Sequence, residues 1–231
     1  MENYNINKLP TDGYLVFPLS MSRLAHGQSP EECYEMLRYF VPKIKEFGVD
    51  VIFLYTNGLY FNSTDSALEI RKRTNVQMLS HRNALFNLIV KGREFISQAI
   101  HFLPWDYAIL DASRFDTLFH ILKKATVTDQ KFNAILLNDV EKRDQNDGNI
   151  EFLLEETVVI HLIREQMVSF PKTLVKKDTF RLIVYPGTCL EADRYQSKNG
   201  LLPRNDDCVN PYRAAHYDFS KKILIDFDKE V

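Results

Sequence analysis

The chain has 231 residues, of which 45% are hydrophobic and 26% charged, and its formal net charge is −2. These values are ordinary for a globular protein with a sizeable core. The near-neutral charge argues against a protein that coats nucleic acid by bulk charge. No linker rich in Gly, Ser or Pro and no internal repeat divides the sequence, so we expect one domain over residues 1–231.

The N-terminal sequence lacks a basic segment followed by an apolar core, and no stretch reaches the ~18 apolar residues that a membrane span requires. The three cysteines show no CxxC or Cys/His spacing, which favours reduced thiols over disulfides or zinc. The six histidines form no HxxxH pair, which also argues against a metal site. We therefore expect a soluble, cytoplasmic protein without a metal.

The first part of the chain predicts the start of an open α/β sheet. Residues 13–20 (GYLVFPLS) and 49–55 (VDVIFLY) are short apolar runs typical of buried strands. Between them, residues 29–32 (SPEE) form a capping box with proline at the first helical position, and Gly48 ends the helix. A strand–helix–strand unit of this length implies parallel strands with a right-handed crossover.

Ser20 is the first candidate functional residue. Ligands of open α/β sheets bind beyond the carboxyl ends of the strands near the topological switch point, and Ser20 ends the first predicted strand. No GxGxxG or GxxxxGK[ST] follows it, so dinucleotide and P-loop sites have little support. Neither GxSxG nor a positioned histidine accompanies it, so the residues alone also fit a hydrogen-bonded turn serine.

The next predicted helix, residues 65–89, concentrates positive charge in a chain that is otherwise slightly acidic. Its cationic and histidine side chains are Arg71, Lys72, Arg73, His81 and Arg82. Such a cluster is most often a solvated helix surface. It also fits a local site for a phosphate backbone, where each contact adds salt-dependent affinity.

The remaining elements are predicted in the same way. Residues 96–103 form a weak strand, 105–126 and 129–144 form helices, and 180–185 (FRLIVY) form a strand before Pro186 and Gly187. Residues 199–218 are polar and irregular, and residues 221–227 (KKILIDF) contain a possible last strand.

The helix predicted at residues 150–168 contains a misplaced carboxylate. Glu156 lies inside an apolar stripe, because one helical face carries Phe152, Glu156, Val159, Ile160 and Ile163. Glu155 is expected on a face that reaches solvent. A buried carboxylate needs a partner or a function, because removing it from water without compensation costs several kcal/mol. The residues alone leave a partnered core glutamate and a functional glutamate open.

Four features occur together in order: a strand ending in Ser20, a basic second helix, a helix reading EFLLEE, and a strand ending in Tyr185-Pro186. This combination resembles the tRNA-dependent cyclodipeptide synthases over residues 13–195. The resemblance implies a Rossmann-like, mainly parallel open sheet flanked by helices, similar to the catalytic domain of class I aminoacyl-tRNA synthetases. It also implies two aminoacyl-tRNAs as substrates and no cofactor, neither ATP nor a metal.

By that resemblance Ser20 is the nucleophile, which takes the aminoacyl group from the first charged tRNA. The family's first strand ends in Gly-x-Ser with an asparagine three residues on. Here Pro18 replaces the glycine and Arg23 replaces the asparagine. The family's Tyr-x-x-x-Glu falls on residues 152–156, so Glu156 matches and Phe152 replaces the tyrosine.

The family's second tyrosine falls on Tyr185. Pro186 after it, together with a residue other than asparagine at position 23, is similar to the XYP subfamily. The resemblance further implies a pocket for the first aminoacyl side chain lined by Val16, Pro18, Val159 and Ile183. It matches the basic residues from Arg71 to Arg82 to a tRNA-binding helix.

The implied reaction is ping-pong acyl transfer that ends in a diketopiperazine. Two alternatives remain open at this point. The first is a tRNA- or RNA-binding relative that has lost catalysis, and the second is another acyl or nucleotide transferase on the same frame, because a fold does not fix a function. We expect a monomer.

Overall fold

The computed structural model describes residues 14–47, 50–56, 66–94, 100–105, 112–141, 150–168, 181–187, 189–208 and 213–227. Its strands are β1 (Tyr14–Leu19), β2 (Asp50–Tyr55), β3 (Ile100–Pro104), β4 (Arg181–Pro186), β5 (Arg213–Asp218) and β6 (Ile223–Asp226). Its helices are α1 (Pro30–Tyr39), α2 (Val41–Phe47), α3 (Ala67–Gly92), α4 (Ala112–Thr128), α5 (Gln130–Glu141), α6 (Ile150–Arg164) and α7 (Glu191–Asn199).

The described strands form one sheet of six in the order β3-β2-β1-β4-β5-β6. The first five strands of that order pair in parallel, and β6 pairs antiparallel with β5. Apart from β6, which runs antiparallel, this is the doubly wound Rossmann order, in which the direction of strand progression reverses between β1 and β4. The predicted fold class, an open and mainly parallel sheet flanked by helices, is confirmed.

Helices cover both faces of this sheet, which explains why its strands are continuous apolar runs. Alternate strand residues point to opposite sides, so Val16 and Ile183 belong to one buried cluster while Phe17 and Val184 belong to the other. The first cluster includes side chains of α4, α5, α6 and α7, and the second includes side chains of α1, α2 and α3.

The boundaries of the first helices differ from the prediction. The helix expected to run unbroken towards Gly48 is two helices, α1 and α2, which meet at Phe40. Pro42 lacks the N–H that would continue the α1 hydrogen-bond pattern, so the chain breaks just before it. Gly48 lies outside the described residues. The helix α3 runs to Gly92 and ends where Arg93 adopts a left-handed φ of 55°.

The prediction that residues 199–218 are irregular is wrong at its end, where β5 adds a strand to the sheet. Its sequence, RAAHYD, has no β-branched residue, so propensity gave no signal. The helix α7 was not predicted because EADRYQSKN has no apolar periodicity. Acidic residues in its first turn and a left-handed Gly200 after its last residue stabilise it instead.

The helix α6 is buried on all sides from Phe152 to Ile163, as expected for a helix that is apolar around its whole circumference. The prediction that Glu155 reaches solvent is therefore wrong, since only 2% of its surface is exposed. Burial raises the pKa of the Glu155 carboxyl to about 7, and the charges of Glu151 and Glu156 add to the rise. Glu156, as predicted, is buried.

The raised pKa of Glu155 predicts a specific pH dependence of stability. The folded protein holds this proton more tightly than the unfolded chain, whose ordinary glutamate pKa is 4.5. Stability from this residue is therefore full below pH 4.5 and declines as pH rises to about 7, where the fold must carry a buried charge. We expect Glu155→Gln to raise the free energy of unfolding at pH 8 by roughly 3 kcal/mol and to change it little at pH 4.

Denaturant unfolding of the parent and Glu155→Gln at both pH values measures this difference. The exposed Glu31 supplies the matched control, because Glu31→Gln removes the same charge without relieving a buried one. An equal loss of stability between pH 4 and pH 8 in the parent and Glu155→Gln would contradict the expectation.

Candidate active site

The carboxyl ends of β1 and β4 form the edge of the sheet at which the strand order reverses. Parallel pairing sets Val16 of β1 opposite Ile183 of β4, and within the described chain their pairing ends there. Ser20, which directly follows β1, and Tyr185, near the end of β4, lie beyond that last pair. Ligands of open α/β sheets bind at such a crevice.

A recess opens at this crevice and brings together residues from widely separated parts of the sequence. Its volume is about 20 Å³, which is room for about one water molecule. Its lining carries one cationic side chain and one carboxylate, among polar and apolar neighbours. The lining residues are Pro18, Ser20, Arg23, Gln28, Thr56, Glu156, Val159, Ile160, Tyr185 and Leu190.

The side-chain amide of Gln28 fixes the chain on both sides of the recess. Its Oε1 accepts a hydrogen bond from the Ser20 N–H at 2.7 Å, and its Nε2 donates to the Pro186 carbonyl oxygen at 3.3 Å. Thr56 follows β2, which pairs with β1 on the side away from β4, and it fixes the end of β1. Its N–H and its hydroxyl both donate to the Leu19 carbonyl oxygen at 2.9 Å. The position of Ser20 is thus set by backbone hydrogen bonds rather than by packing alone.

His81 supports Gln28 from α3. The Gln28 carbonyl oxygen lies 2.8 Å from Nε2 of His81, and the hydroxyl of Tyr55 lies 2.9 Å from its Nδ1. Burial lowers the pKa of His81, so the neutral ring is the stable form. A neutral imidazole that donates from Nε2 to Gln28 accepts at Nδ1 from Tyr55, which satisfies all three groups.

A second acid lies next to Tyr185 and Glu156. The Tyr185 hydroxyl donates to Oδ2 of Asp193 at 3.5 Å, and Asp193 is completely buried. Burial raises the pKa of Asp193 well above its ordinary value, and the charge of Glu156 contributes to the rise. Pairs of carboxyls whose environments separate their protonation states are a feature of catalytic sites.

The structure brings most of the predicted site residues to this recess. Pro18, Ser20, Arg23, Glu156, Val159 and Tyr185 line it. The other four predicted pocket residues are buried around it without lining it: Val16, Phe152, Ile183 and Pro186.

Three lining residues, Gln28, Thr56 and Leu190, and the neighbouring Asp193 were not predicted from the sequence. Thr56 directly follows the predicted second strand, so its place at the carboxyl edge was available from the sequence. Gln28 immediately precedes the capping box of α1, but nothing in its sequence neighbourhood indicates that it turns back to β1. Leu190 and Asp193 belong to the start of α7, which gave no signal at all.

The predicted basic helix is α3, which begins at Ser66 with a capping box. Arg71, Lys72 and Arg73 are exposed on it, and Arg82 is half-buried. His81 lies on the opposite, buried side of the helix, where it holds Gln28. The three consecutive cations therefore form an exposed cluster, here called the basic cluster, and His81 is not part of it.

Within the residues that the structure describes, no three His, Cys, Asp or Glu side chains are grouped as a metal ion would require. The described helices include none that is both long and apolar enough to cross a membrane.

The sequence matches no protein-family model, and no curated protein is significantly similar to it. Solved structures with a similar fold do exist. A cyclodipeptide synthase from Fluoribacter dumoffii superposes with a TM-score of 0.53 at 13% identity, covering 90% of this chain and 89% of its own. A cyclodipeptide synthase from Staphylococcus haemolyticus superposes with a TM-score of 0.51 at 11% identity, covering 87% and 89%. The chain therefore shares its fold with solved cyclodipeptide synthases.

Proposed function

We propose that the protein joins the amino acids of two aminoacyl-tRNAs into a cyclic dipeptide. The observation that carries this proposal is that Ser20, Glu156 and Tyr185 line one recess. These are the three residues to which the family resemblance assigns chemistry, and they come from β1, α6 and β4. The fold shared with cyclodipeptide synthases supports the proposal.

In the first step the hydroxyl of Ser20 attacks the ester carbonyl of one aminoacyl-tRNA. The amino acid passes to the serine oxygen, and the tRNA leaves with a free ribose hydroxyl. Ser20 suits this attack because the bond from its N–H to Gln28 fixes its backbone at the recess. An aminoacyl ester is already activated, so this step demands neither ATP nor a metal.

Glu156 binds the α-ammonium group of the bound amino acid. Only 8% of its surface is exposed, so an ion pair there forms in a medium where charge-assisted hydrogen bonds are strong. Burial raises the pKa of the neighbouring Asp193, which favours its neutral form. The ammonium group therefore faces a single carboxylate on the recess lining, that of Glu156.

In the second step the amine of the serine-bound amino acid attacks the ester carbonyl of the second aminoacyl-tRNA. A peptide bond forms, the second tRNA leaves with a free ribose hydroxyl, and a dipeptidyl-serine remains. Glu156 accepts a proton from the attacking amine. The hydroxyl of Tyr185, which is oriented by its hydrogen bond to Asp193, lies on the same recess as a further proton-transfer group. The free amine of the dipeptide then attacks its own ester, which closes the diketopiperazine ring and releases Ser20. Phe152 has no hydroxyl, so it takes no part in proton transfer.

The first amino acid is small or apolar in this proposal. Pro18, Val159, Ile160 and Leu190 give the recess an apolar wall. Val16, Phe152 and Ile183 lie buried in the same region of the core. Tyr185-Pro186 together with Arg23 supports a proposed assignment to the XYP subfamily.

The basic cluster on α3 binds tRNA. Its three exposed cations lie on one turn of a long helix that is otherwise anchored to the core, so they form a rigid positive surface. Lys and Arg contacts to phosphates supply affinity without sequence specificity, which suits an enzyme that accepts two charged tRNAs. We further propose a single catalytic domain that acts as a monomer in the cytoplasm, where charged tRNAs are made.

The covalent intermediate gives the direct test of this function. We expect a mixture of charged tRNAs to leave an aminoacyl group on Ser20 and to release a cyclic dipeptide, because an ester and a positioned hydroxyl are all that the first step needs. Mass spectrometry of the digested protein locates the adduct, and mass spectrometry of the small molecules identifies the product.

Ser20→Ala is expected to abolish both signals while binding tRNA as the parent does. Ser22→Ala, two residues along the chain, is the matched control and should keep both. A parent protein that binds tRNA but gives neither adduct nor product with any charged tRNA would instead be a non-catalytic tRNA-binding relative.

Replacement of the basic cluster by Arg71→Gln, Lys72→Gln and Arg73→Gln together tests tRNA binding. We expect weaker binding and a plot of log affinity against log salt that is shallower by about 2 to 3, because up to three counterion-releasing contacts are lost. Filter binding across a salt series measures both quantities.

A matched triple variant, Lys198→Gln, Lys221→Gln and Lys222→Gln, removes the same charge from other exposed positions. It should leave the salt dependence close to that of the parent. An identical slope for both triple variants would show that tRNA does not contact the basic cluster.

A further inference from the structure

The N–H of the nucleophile is already occupied in this protein. Acyl transfer through serine builds negative charge on the carbonyl oxygen, and serine proteases stabilise it partly with the N–H of the nucleophilic residue itself. Here the Ser20 N–H donates to Oε1 of Gln28 at 2.7 Å. Another donor must therefore face the developing charge.

The other polar side chains of the recess direct donors elsewhere. Gln28 Nε2 donates to the Pro186 carbonyl oxygen, the Thr56 hydroxyl to the Leu19 carbonyl oxygen, and the Tyr185 hydroxyl to Asp193. Glu156 is an acceptor when it is ionised. Arg23 remains, and it is the single cationic side chain on the recess lining within the described chain.

Gly27 makes room for the Arg23 guanidinium at the recess, and a Cβ on Gly187 would lie in van der Waals range of the same group. A Cβ built on Gly27 would lie 3.1 Å from Nη2 of Arg23, and one built on Gly187 would lie 3.6 Å from the same atom. Both glycines have positive φ values, 84° and 91°, so other residues are disfavoured there on backbone grounds as well. Among the described residues, no hydrogen bond or ion pair engages the guanidinium.

The charges of the recess match an aminoacyl ester in its reacting form. Such a substrate carries a positive ammonium group and, as the serine attacks, a negative oxygen on the neighbouring carbon. Glu156 supplies the negative group and Arg23 the positive group in the same recess. A guanidinium is always charged and presents several N–H donors, which suits a small oxygen centre.

We propose that Arg23 is a catalytic residue whose guanidinium donates hydrogen bonds to the carbonyl oxygen of the aminoacyl ester and stabilises the oxyanion. This role rests on the proposed function. The Ser20 oxygen forms a bond to the carbonyl carbon while the carbonyl electron pair moves onto the oxygen beside Arg23. When that pair returns, the bond to the ribose oxygen breaks, and that oxygen takes the proton lost by Ser20 and becomes a hydroxyl.

Single-turnover acylation of Ser20 tests this role. We expect Arg23→Gln to slow acylation by saturating charged tRNA by about 10²–10³-fold, the usual effect of losing an oxyanion donor. Arg23→Lys keeps the charge but lacks the several N–H donors of the guanidinium, so its acylation rate should lie between those of the parent and Arg23→Gln. Arg38→Gln, which removes an exposed arginine from α1, is the matched control and should acylate at the parent rate.

A tRNA pool with the amino acids attached through an amide separates catalysis from binding, because it binds without reacting. We expect the parent and Arg23→Gln to bind this pool with the same affinity. Binding weakened in step with the acylation rate would instead mean that Arg23 grips a phosphate or ribose of the tRNA, and acylation at the parent rate would mean that Arg23 has no role. Either result overturns the proposal.

Thermal unfolding of each variant shows whether the fold is intact. If Arg23→Gln does not fold, Arg23→Lys carries the same pair of measurements. A parent protein that never acylates refutes the proposed function itself, whereas acylation that does not depend on Arg23 refutes only this inference.

Discussion

The two hydrogen bonds of the Gln28 side chain hold the site together. Pairing between β1 and β4 ends at Val16 and Ile183, although both strands continue. The two strands therefore separate towards the carboxyl edge of the sheet. Gln28 spans this gap by accepting from Ser20 on one side and donating to Pro186 on the other. A buried amide with both ends engaged is rigid, because breaking either bond leaves a polar group unsatisfied. The width of the crevice follows from the length of one glutamine side chain.

This constraint also ties the candidate tRNA surface to the candidate nucleophile. The outward side of α3 carries the basic cluster, while His81 on its inner side bonds to the Gln28 carbonyl oxygen. The hydroxyl of Tyr55, at the end of β2, bonds to the other ring nitrogen of His81. The helix that is proposed to contact tRNA is thereby fixed, through Gln28, to the backbone on which the chemistry is proposed to occur. The distance between the basic cluster and Ser20 is consequently set by the fold.

The sequence predicted those parts of the molecule in which the local pattern and the tertiary environment agree. Apolar runs bounded by turns located β1, β2 and β4, and a capping box located the start of α1. It failed where stability comes from distant partners. The strand β5 forms because β4 offers it an edge, and the burial of Glu155 depends on helices packed around α6. Gln28 was missed for the same reason, since its partners Ser20 and Pro186 are joined only by the topology.

The small size of the recess has a chemical consequence beyond recognition. Ser20 is only 6% exposed, and the recess beside it has room for about one water molecule. An aminoacyl group is larger than one water molecule, so the apolar wall would have to move outward for Ser20 to be acylated, and its return over the ester would shield the ester from bulk solvent. The lifetime of the acylated protein would then be set by the packing of the surrounding apolar wall. Smaller side chains in this wall would widen the recess and admit water. The ester would then be hydrolysed to free amino acid, although no reacting group had been changed.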